Sequence, residues 1–331
     1  MFNFDFYNPT HIVFGKDRLS ELDTLVPKDA KVLITYGGGS AVRSGLIDRI
    51  VAALGSRKVE QFGGIEPNPS LETCERAVAF IKEHGVDFVL AVGGGSVVDA
   101  TKLIVMGATY DGPVIDVMKA GLPEVPVEMV PNPLPFGTVM TLPATGSEMN
   151  NGAVITYGDG KFPVFSSLVF PKFSMLDPTL TFTLPEKQVK NGVIDTFVHT
   201  TEQYLTYPVD GRIQDRFSEG ILKTMIEIGK ETVENPENYD IRANHVWAST
   251  LALNGLIGAG VPQDWATHLI GHELTAAYHL DHGITLAIVL PALLEVKKAD
   301  KLEKLAQYAT RVWHITEGTN EEKADKAIAK T

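Results

Sequence analysis

The sequence predicts an α/β domain built on a parallel sheet, followed by an all-α domain. Two observations behind this are near-identical units. The run Lys31–Tyr36 (KVLITY) leads into Gly37-Gly38-Gly39-Ser40, and the run 88–92 (FVLAV) leads into Gly93-Gly94-Gly95-Ser96. The third is a change of texture after Leu184-Pro185, where apolar residues recur at helical spacing over 186–204, 214–232 and 241–256.

Each glycine unit reads as strand, turn, helix. After the first, Leu46, Ile47, Ile50, Val51 and Leu54 form an apolar helical stripe; after the second, 97–106 does the same. A helical face through Val78 and Ile81, ended by Gly85, joins the two units. Strands that are apolar on both faces, alternating with helices, argue for a parallel, Rossmann-like sheet covered on both sides. Between 111 and 143 Pro and Gly are dense and no helix is expected; 137–142 (GTVMTL) reads as one more strand, entering the polar turn 143–148. Asn191-Gly192 is read as a turn or a close approach. The domain boundary falls near 183, giving a nucleotide-binding domain 1–183 and a helical metal-binding domain 184–331. The last residues, 321–330, read either as a frayed terminal helix or as a pattern cut short.

The chain has 331 residues, 44% hydrophobic and 21% charged, within the range of ordinary globular proteins. A net charge of −12 without a basic cluster disfavours nucleic acid and anionic membranes as partners. The single cysteine, Cys74, precludes an internal disulfide, and the N-terminus lacks a signal-like pattern, so a cytoplasmic location is expected. The apolar stretch 284–296 is interrupted by Pro291 and is shorter than the roughly 20 residues a spanning helix needs.

The Gly93, Gly94, Gly95, Ser96 turn sits between an apolar strand and a helix. It is either a plain tight turn or a phosphate cradle, in which glycine lets the backbone approach and the helix N-terminus favours an anion. Asp99, just inside that helix, would repel a phosphate it faced; its other task is to hydrogen-bond the loop. The loop is not a GxGxxG fingerprint. At Gly37, Gly38, Gly39 and Ser40 no carboxylate is present to accept from a ribose 2′-hydroxyl. Ser40 and Arg43 stand there instead, which suits a 2′-phosphate and favours NADP over NAD; the alternative for Arg43 is a solvated helix residue.

Four of the nine histidines, His268, His272, His279 and His282, fall within fifteen residues. His268 and His272 share a helix face at i, i+4, as do Asp195 and His199, which are flanked by Val193, Ile194, Phe197 and Val198. A carboxylate in apolar company is costly unless it is paired or binds a cation. Asp195, His199 and two of the downstream imidazoles would complete a four-ligand set for Zn(II) or Fe(II), and the absence of thiolates leaves that choice open. His11, His84, His245 and His314 read as ordinary structural histidines.

These residues resemble the iron-containing alcohol dehydrogenases: Asp195-x-x-x-His199, then 258–272 (GAGVPQDWATHLIGH), then 279–283 (HLDHG). The stretches 63–69 (GGIEPNP), 91–102 (AVGGGSVVDATK) and 142–148 (LPATGSE) are similar to the NADPH-dependent aldehyde reductase and butanol dehydrogenase branch. The resemblance runs over the whole chain. It implies a dehydroquinate synthase-like pair of domains, with Asp195, His199, His268 and His282 as metal ligands and His272 near the substrate as a proton relay. It also implies Gly94, Gly95 and Ser96 on the pyrophosphate, Thr141, Leu142 and Ser147 on the nicotinamide side, and Asn151 and Lys161 near the ribose. Of these, Lys161 rests on the loosest match. NAD-using relatives carry an Asp in the loop matching 37–40, which this sequence lacks.

The activity so implied is reversible, metal-assisted hydride transfer between NADPH and an aldehyde, giving a primary alcohol. The proton reaches the product by way of His272 or the cofactor ribose. Two alternatives remain: a polyol dehydrogenase on the same scaffold, or a metal- and nucleotide-binding protein without catalysis. Members of the branch continue further as helices, so a truncated chain is expected to expose apolar surface. A homodimer is implied, and 10–15 (THIVFG) is either a strand that pairs across it or an edge strand within the chain.

Overall fold

The computed structural model describes residues 1–331 and comprises two compact units. The first contains 8–143 and 147–182; the second contains 1–7, 144–146 and 183–331. The expected boundary near 183 thus differs in two short segments. Residues 1–7 go with the helical unit, where the Phe2 N–H donates to the Gly260 carbonyl.

The first unit holds a six-stranded sheet made of β1 (His11–Phe14), β2 (Lys31–Tyr36), β3 (Lys58–Phe62), β4 (Phe88–Gly93), β5 (Phe136–Met140) and β8 (Phe173–Leu176). A separate hairpin is formed by β6 (Gly152–Tyr157) and β7 (Gly160–Phe165). The sheet order is β1-β8-β5-β4-β2-β3 and every pairing is parallel. Its helices are α1 (Leu22–Leu25), α2 (Ser40–Arg43), α3 (Leu46–Ala53), α4 (Leu71–His84), α5 (Gly95–Thr109) and α6 (Val114–Lys119).

Alternation along the strands divides two cores. Leu33, Val89 and Ala91 pack with Cys74, Val78, Leu103 and Val117 from α4 to α6. Val32, Ile34, Leu90 and Val92 pack with Leu22, Leu46 and Ile50 from α1 and α3. Both faces are covered, which is why these strands read as continuous apolar runs. Helix α6 lies in the stretch where no helix was expected. Pro113 is its N-cap, where an extended backbone suits the helix start and the missing N–H costs no helical hydrogen bond. β1 is an intrachain edge strand, paired in parallel with β8.

The second unit is all-helical: α7 (Glu186–Tyr204), α8 (Arg212–Glu234), α9 (Tyr239–Ala252), α10 (Ala266–Tyr278), α11 (His282–Val296), α12 (Leu302–Arg311) and α13 (Asn320–Lys330). Helix α7 packs against α8, α9, α10 and α11. Asn191-Gly192 is not a turn but lies inside α7, and the close approach is made from the partner side. A Cβ on Gly283 would stand 2.7 Å from the Asn191 Cα, so only glycine lets α11 start directly against α7. Helix α13 is regular to Lys330, with a Thr319–Glu322 capping box, Ala324, Ala327 and Ile328 buried, and Thr331 hydrogen-bonded to Tyr308; the frayed reading of 321–330 does not hold. Helices α10 and α11 expose Leu269, Ile270, Tyr278, Ile288 and Val296. No helix is long and apolar enough to cross a membrane.

Candidate metal centre and nucleotide-binding edge

Helix α7 buries an unusual run of polar residues: Asp195, Thr196, His199, Thr200, Thr201, Glu202 and Gln203. Most are satisfied within the unit. Thr196 and Thr200 donate to carbonyls one turn back, Thr201 donates to the Val198 carbonyl, and Gln203 donates to the carbonyls of His199 and Ala252. Asp195 differs, because its Oδ1 is buried without a hydrogen-bond partner, and so is His268 Nε2. Such atoms are rare in folded proteins and need an explanation.

Their arrangement supplies one. Asp195 Oδ1 lies 3.5 Å from His199 Nε2, 3.4 Å from His268 Nε2 and 3.6 Å from His282 Nε2. Ligand atoms bound tetrahedrally at roughly 2.1 Å are about 3.4 Å apart, so these three separations from Asp195 match the edge length of a tetrahedral metal site. The Asp195, His268 and His282 atoms all lie within 4.8 Å of one another. His199 falls outside that tighter group; its place in the set rests on its distance to Asp195 and on its ring, stacked on His268 at 4.5 Å. One carboxylate and three imidazoles around an unpaired buried oxygen fit a divalent cation.

Each candidate ligand is delivered by local structure. Asp195 and His199 lie one turn apart on α7. His268 lies in the first turn of α10, whose start is fixed by Asp264 accepting from the Ala266 N–H. His282 opens α11, held by the Asn191 side-chain amide donating to Asp281 and by the Gly283 contact. Burial alone would raise the Asp195 carboxyl, but His199, His268 and His282 hold it well below the usual carboxylate range. Burial lowers His199 to about 4. It also opposes protonation of His268, yet Asp195 and Glu202 together raise that group to about 9. Trp265 flanks His199 and His268 edge-on. His272 sits with its ring centroid 5.2 Å from that of His282 and 6.2 Å from that of His268, near the cluster but outside the cage. His279 is exposed and forms the left-handed C-cap of α10.

The nucleotide candidates share one edge of the sheet. The chain runs β2 to β3 on one side, then crosses back to place β4 on the other side of β2. The carboxyl ends of β2 and β4 therefore flank a topological switch point, where open parallel sheets bind ligands. Gly37 to Ser40 follow β2 and Gly93 to Ser96 end β4, in neighbouring register through Tyr36 and Val92. Thr141 and Leu142 follow β5 beside β4, with the Thr141 N–H donating to the Gly93 carbonyl. Gly39 adopts φ +94°, a conformation that favours glycine. Helix α5 begins at Gly95 with no side chain capping its N-terminus, and a Cβ on Gly94 would meet Leu142 Cβ at 3.0 Å. An uncapped helix end behind a glycine turn fits a pyrophosphate.

The remaining candidates lie around this edge. Ser40 opens α2, and Arg43 folds back over the loop, its Nη1 3.5 Å from the Gly38 carbonyl oxygen. Asp99 does not bond the 93–96 turn as expected; it accepts from the Ser147 hydroxyl and the Val154 N–H. Asn151 donates to Glu124. Lys161, on the β6–β7 hairpin, donates to Asn68 Oδ1 at 2.6 Å, and Asn68 in turn donates its backbone N–H to Ser96 Oγ. Three residues not singled out from the sequence emerge here. Lys102 is buried and donates to Ser147, Asn150 and the Gly152 carbonyl; Asn68 bridges the hairpin to the second glycine loop; and Glu202 contacts His268. A helix spacing of four and seven from Asp195 marks His199 and Glu202 as one face, which was the available signal for Glu202.

Residues 9–178 match the iron-containing alcohol dehydrogenase model, and residues 189–331 match the C-terminal model of the Fe-containing alcohol dehydrogenase family. The chain belongs to the iron-containing alcohol dehydrogenase family. The chain is 55% identical to the NADPH-dependent aldehyde reductase YqhD of Escherichia coli, over 100% of its own length and 85% of that protein. It is 42% identical to a probable NADH-dependent butanol dehydrogenase of Bacillus subtilis, over 100% and 86%. Among solved structures, E. coli YqhD superposes with TM-score 0.95 at 53% identity, covering 99% of this chain and 84% of that one. The NADH-dependent butanol dehydrogenase A of Thermotoga maritima gives 0.92 at 36%, covering 100% and 83%. This iron-containing alcohol dehydrogenase thus has the sheet-plus-helical architecture of its relatives.

Proposed function

We propose that this chain catalyses reversible, NADPH-dependent reduction of aldehydes to primary alcohols, with Asp195, His199, His268 and His282 holding one divalent cation, Fe(II) or Zn(II). The observation that carries the reading is the unpartnered, buried Asp195 Oδ1 at tetrahedral-edge distance from three imidazoles. When bound, the cation would polarise an aldehyde carbonyl and the dinucleotide would supply the hydride. Asp195 contributes the one formal charge of the ligand set, and the three neutral imidazoles leave net positive charge for an oxygen ligand. His272, outside the cage, is the side chain assigned to pass a proton to the product oxygen. Gly93, Gly94, Gly95 and Ser96 hold the pyrophosphate at the α5 N-terminus, while Thr141, Leu142 and Ser147 flank the nicotinamide. Asn151 and Lys161 serve the ribose, and Asp99 braces Ser147 and the start of β6 against α5.

NADP is preferred because Gly37, Gly38, Gly39 and Ser40 present no carboxylate, while Ser40 and Arg43 offer a hydroxyl and a guanidinium to a 2′-phosphate. The similarity to an NADPH-dependent reductase supports this choice, although other relatives are named for NADH. A cytoplasmic homodimer without nucleic-acid or membrane partners completes the proposal. It is tested by elemental analysis of the purified protein together with NADPH consumption on butanal. One equivalent of metal with turnover is expected. Metal-free protein that turns over, or bound metal with no NADPH consumption across an aldehyde panel, refutes the proposal.

A further inference from the structure

Glu202 is buried, with 4% of its surface exposed, and both of its carboxylate oxygens are engaged by one residue. Oε1 accepts from the His268 backbone N–H at 3.1 Å, and Oε2 faces His268 Nδ1 in a close contact. A carboxylate on Nδ1 keeps the proton of that nitrogen, so the proton a cation would displace is the one on Nε2. Nε2 is the atom 3.4 Å from Asp195 Oδ1. The Glu202 backbone carbonyl also accepts from the Asp264 N–H, so the residue ties α7 to the segment that delivers His268.

Charge points the same way. Asp195 alone would leave a divalent cation with net positive charge in a buried site, whereas Asp195 and Glu202 together neutralise it. We infer that Glu202 is a positioning residue for the metal: it fixes His268 in the Nε2-ligating tautomer and orientation, strengthens that nitrogen as a donor, and thereby sets the affinity and preference for a divalent ion. This rests on the ligand set proposed above. The competing role is purely structural, because Oε1 also satisfies a first-turn N–H of α10.

Glu202→Gln separates the two roles. The amide oxygen can still accept from an N–H, but the charge is gone. Metal-free wild type and variant are compared by circular dichroism and urea unfolding. Zn(II) affinity is then measured by competition with a chromogenic chelator, and the visible spectrum of each Co(II)-loaded protein is recorded. The expected result is an unchanged metal-free fold, a Zn(II) dissociation constant weakened on the order of 10–100-fold, and a displaced Co(II) absorption band. Glu202→Asp, which keeps the charge one methylene further back, is expected to fall between.

Zn(II) affinity and Co(II) spectrum unchanged in Glu202→Gln and Glu202→Ala would overturn the inference while leaving the ligand set intact. Affinity lost only in step with the metal-free fold would assign Glu202 to the structural role and overturn it too. If the wild type bound no Zn(II), or His268→Ala bound it as tightly as the wild type, the ligand set itself would fail and take this inference with it.

Discussion

The Lys102 ammonium donates to the Ser147 hydroxyl oxygen at 2.8 Å, and that hydroxyl donates onward to Asp99 at 2.6 Å. The relay ties α5, which starts at the second glycine loop, to the segment that leads into β6. Lys102 is fully buried, and burial lowers its amine to about 8 against the opposing pull of Asp99 and Glu148. Lys102→Met leaves Asp99 without its cationic neighbour. We expect a loss of about 3 kcal/mol in unfolding free energy by urea titration and a rise of roughly tenfold in the NADPH dissociation constant. Adding Asp99→Asn should recover part of the stability, because the two groups are coupled. Strictly additive losses would contradict the relay.

Cofactor choice is testable at Gly38. A Cβ there meets nothing within 4 Å, and its φ is ordinary, so a side chain fits without strain. Gly38→Asp would set a carboxylate against the proposed 2′-phosphate, a like-charge contact worth several kcal/mol. kcat/KM for NADPH should fall on the order of 100-fold, with NADH changed far less. Equal losses for both cofactors would place the 2′-phosphate elsewhere.

Metal binding should appear as stability. A ligand present at 100 times its dissociation constant stabilises the folded state by about 2.7 kcal/mol. Added Zn(II) is expected to raise the urea midpoint of the wild-type chain and to leave Asp195→Asn and His282→Ala unmoved. An equal rise in the variants would show that the cation binds at other groups.

His245 makes stability depend on pH. It is fully buried on α9, and burial, reinforced by Arg242, lowers it to about 4 from an ordinary 6.5. Between those values the unfolded chain binds a proton that the folded chain refuses. Its contribution is therefore complete above about pH 6.5 and is lost as pH falls through 4, amounting to about 3 kcal/mol. The difference in unfolding free energy between wild type and His245→Gln should shift by that amount between pH 7 and pH 4, against the wild type. A pH-independent difference would mean that His245 titrates normally in the folded chain.

Much of the sheet was legible in the sequence because strands covered on both faces cannot hide: Lys31–Tyr36 has the same bounds by pattern and by structure. Helix α7 was legible because its apolar residues recur at helical spacing over 186–204. Helix α6 was not, because a six-residue helix between prolines carries too few apolar positions to show a period. The candidate pair on α7 stood out as a carboxylate in apolar company, but naming His268 and His282 rather than His272 and His279 rested on the family resemblance. In the fold His268 and His282 reach Asp195, whereas His279 ends α10 in a left-handed conformation. Lys102 gave no sign because its partner Ser147 lies 45 residues away, and Glu202 gave only its place on the Asp195 face of α7, its partner His268 lying 66 residues away.

The crossover that puts β4 beside β2 gives neighbouring strand ends separate duties in the proposed scheme. The turn after β4 grips the pyrophosphate common to all dinucleotides, and the turn after β2 meets the part by which they differ. Exchanges confined to four residues, 37–40, would then retune which cofactor pool the enzyme draws on while its anchor stays intact. That modularity would let one scaffold serve both kinds of reductant.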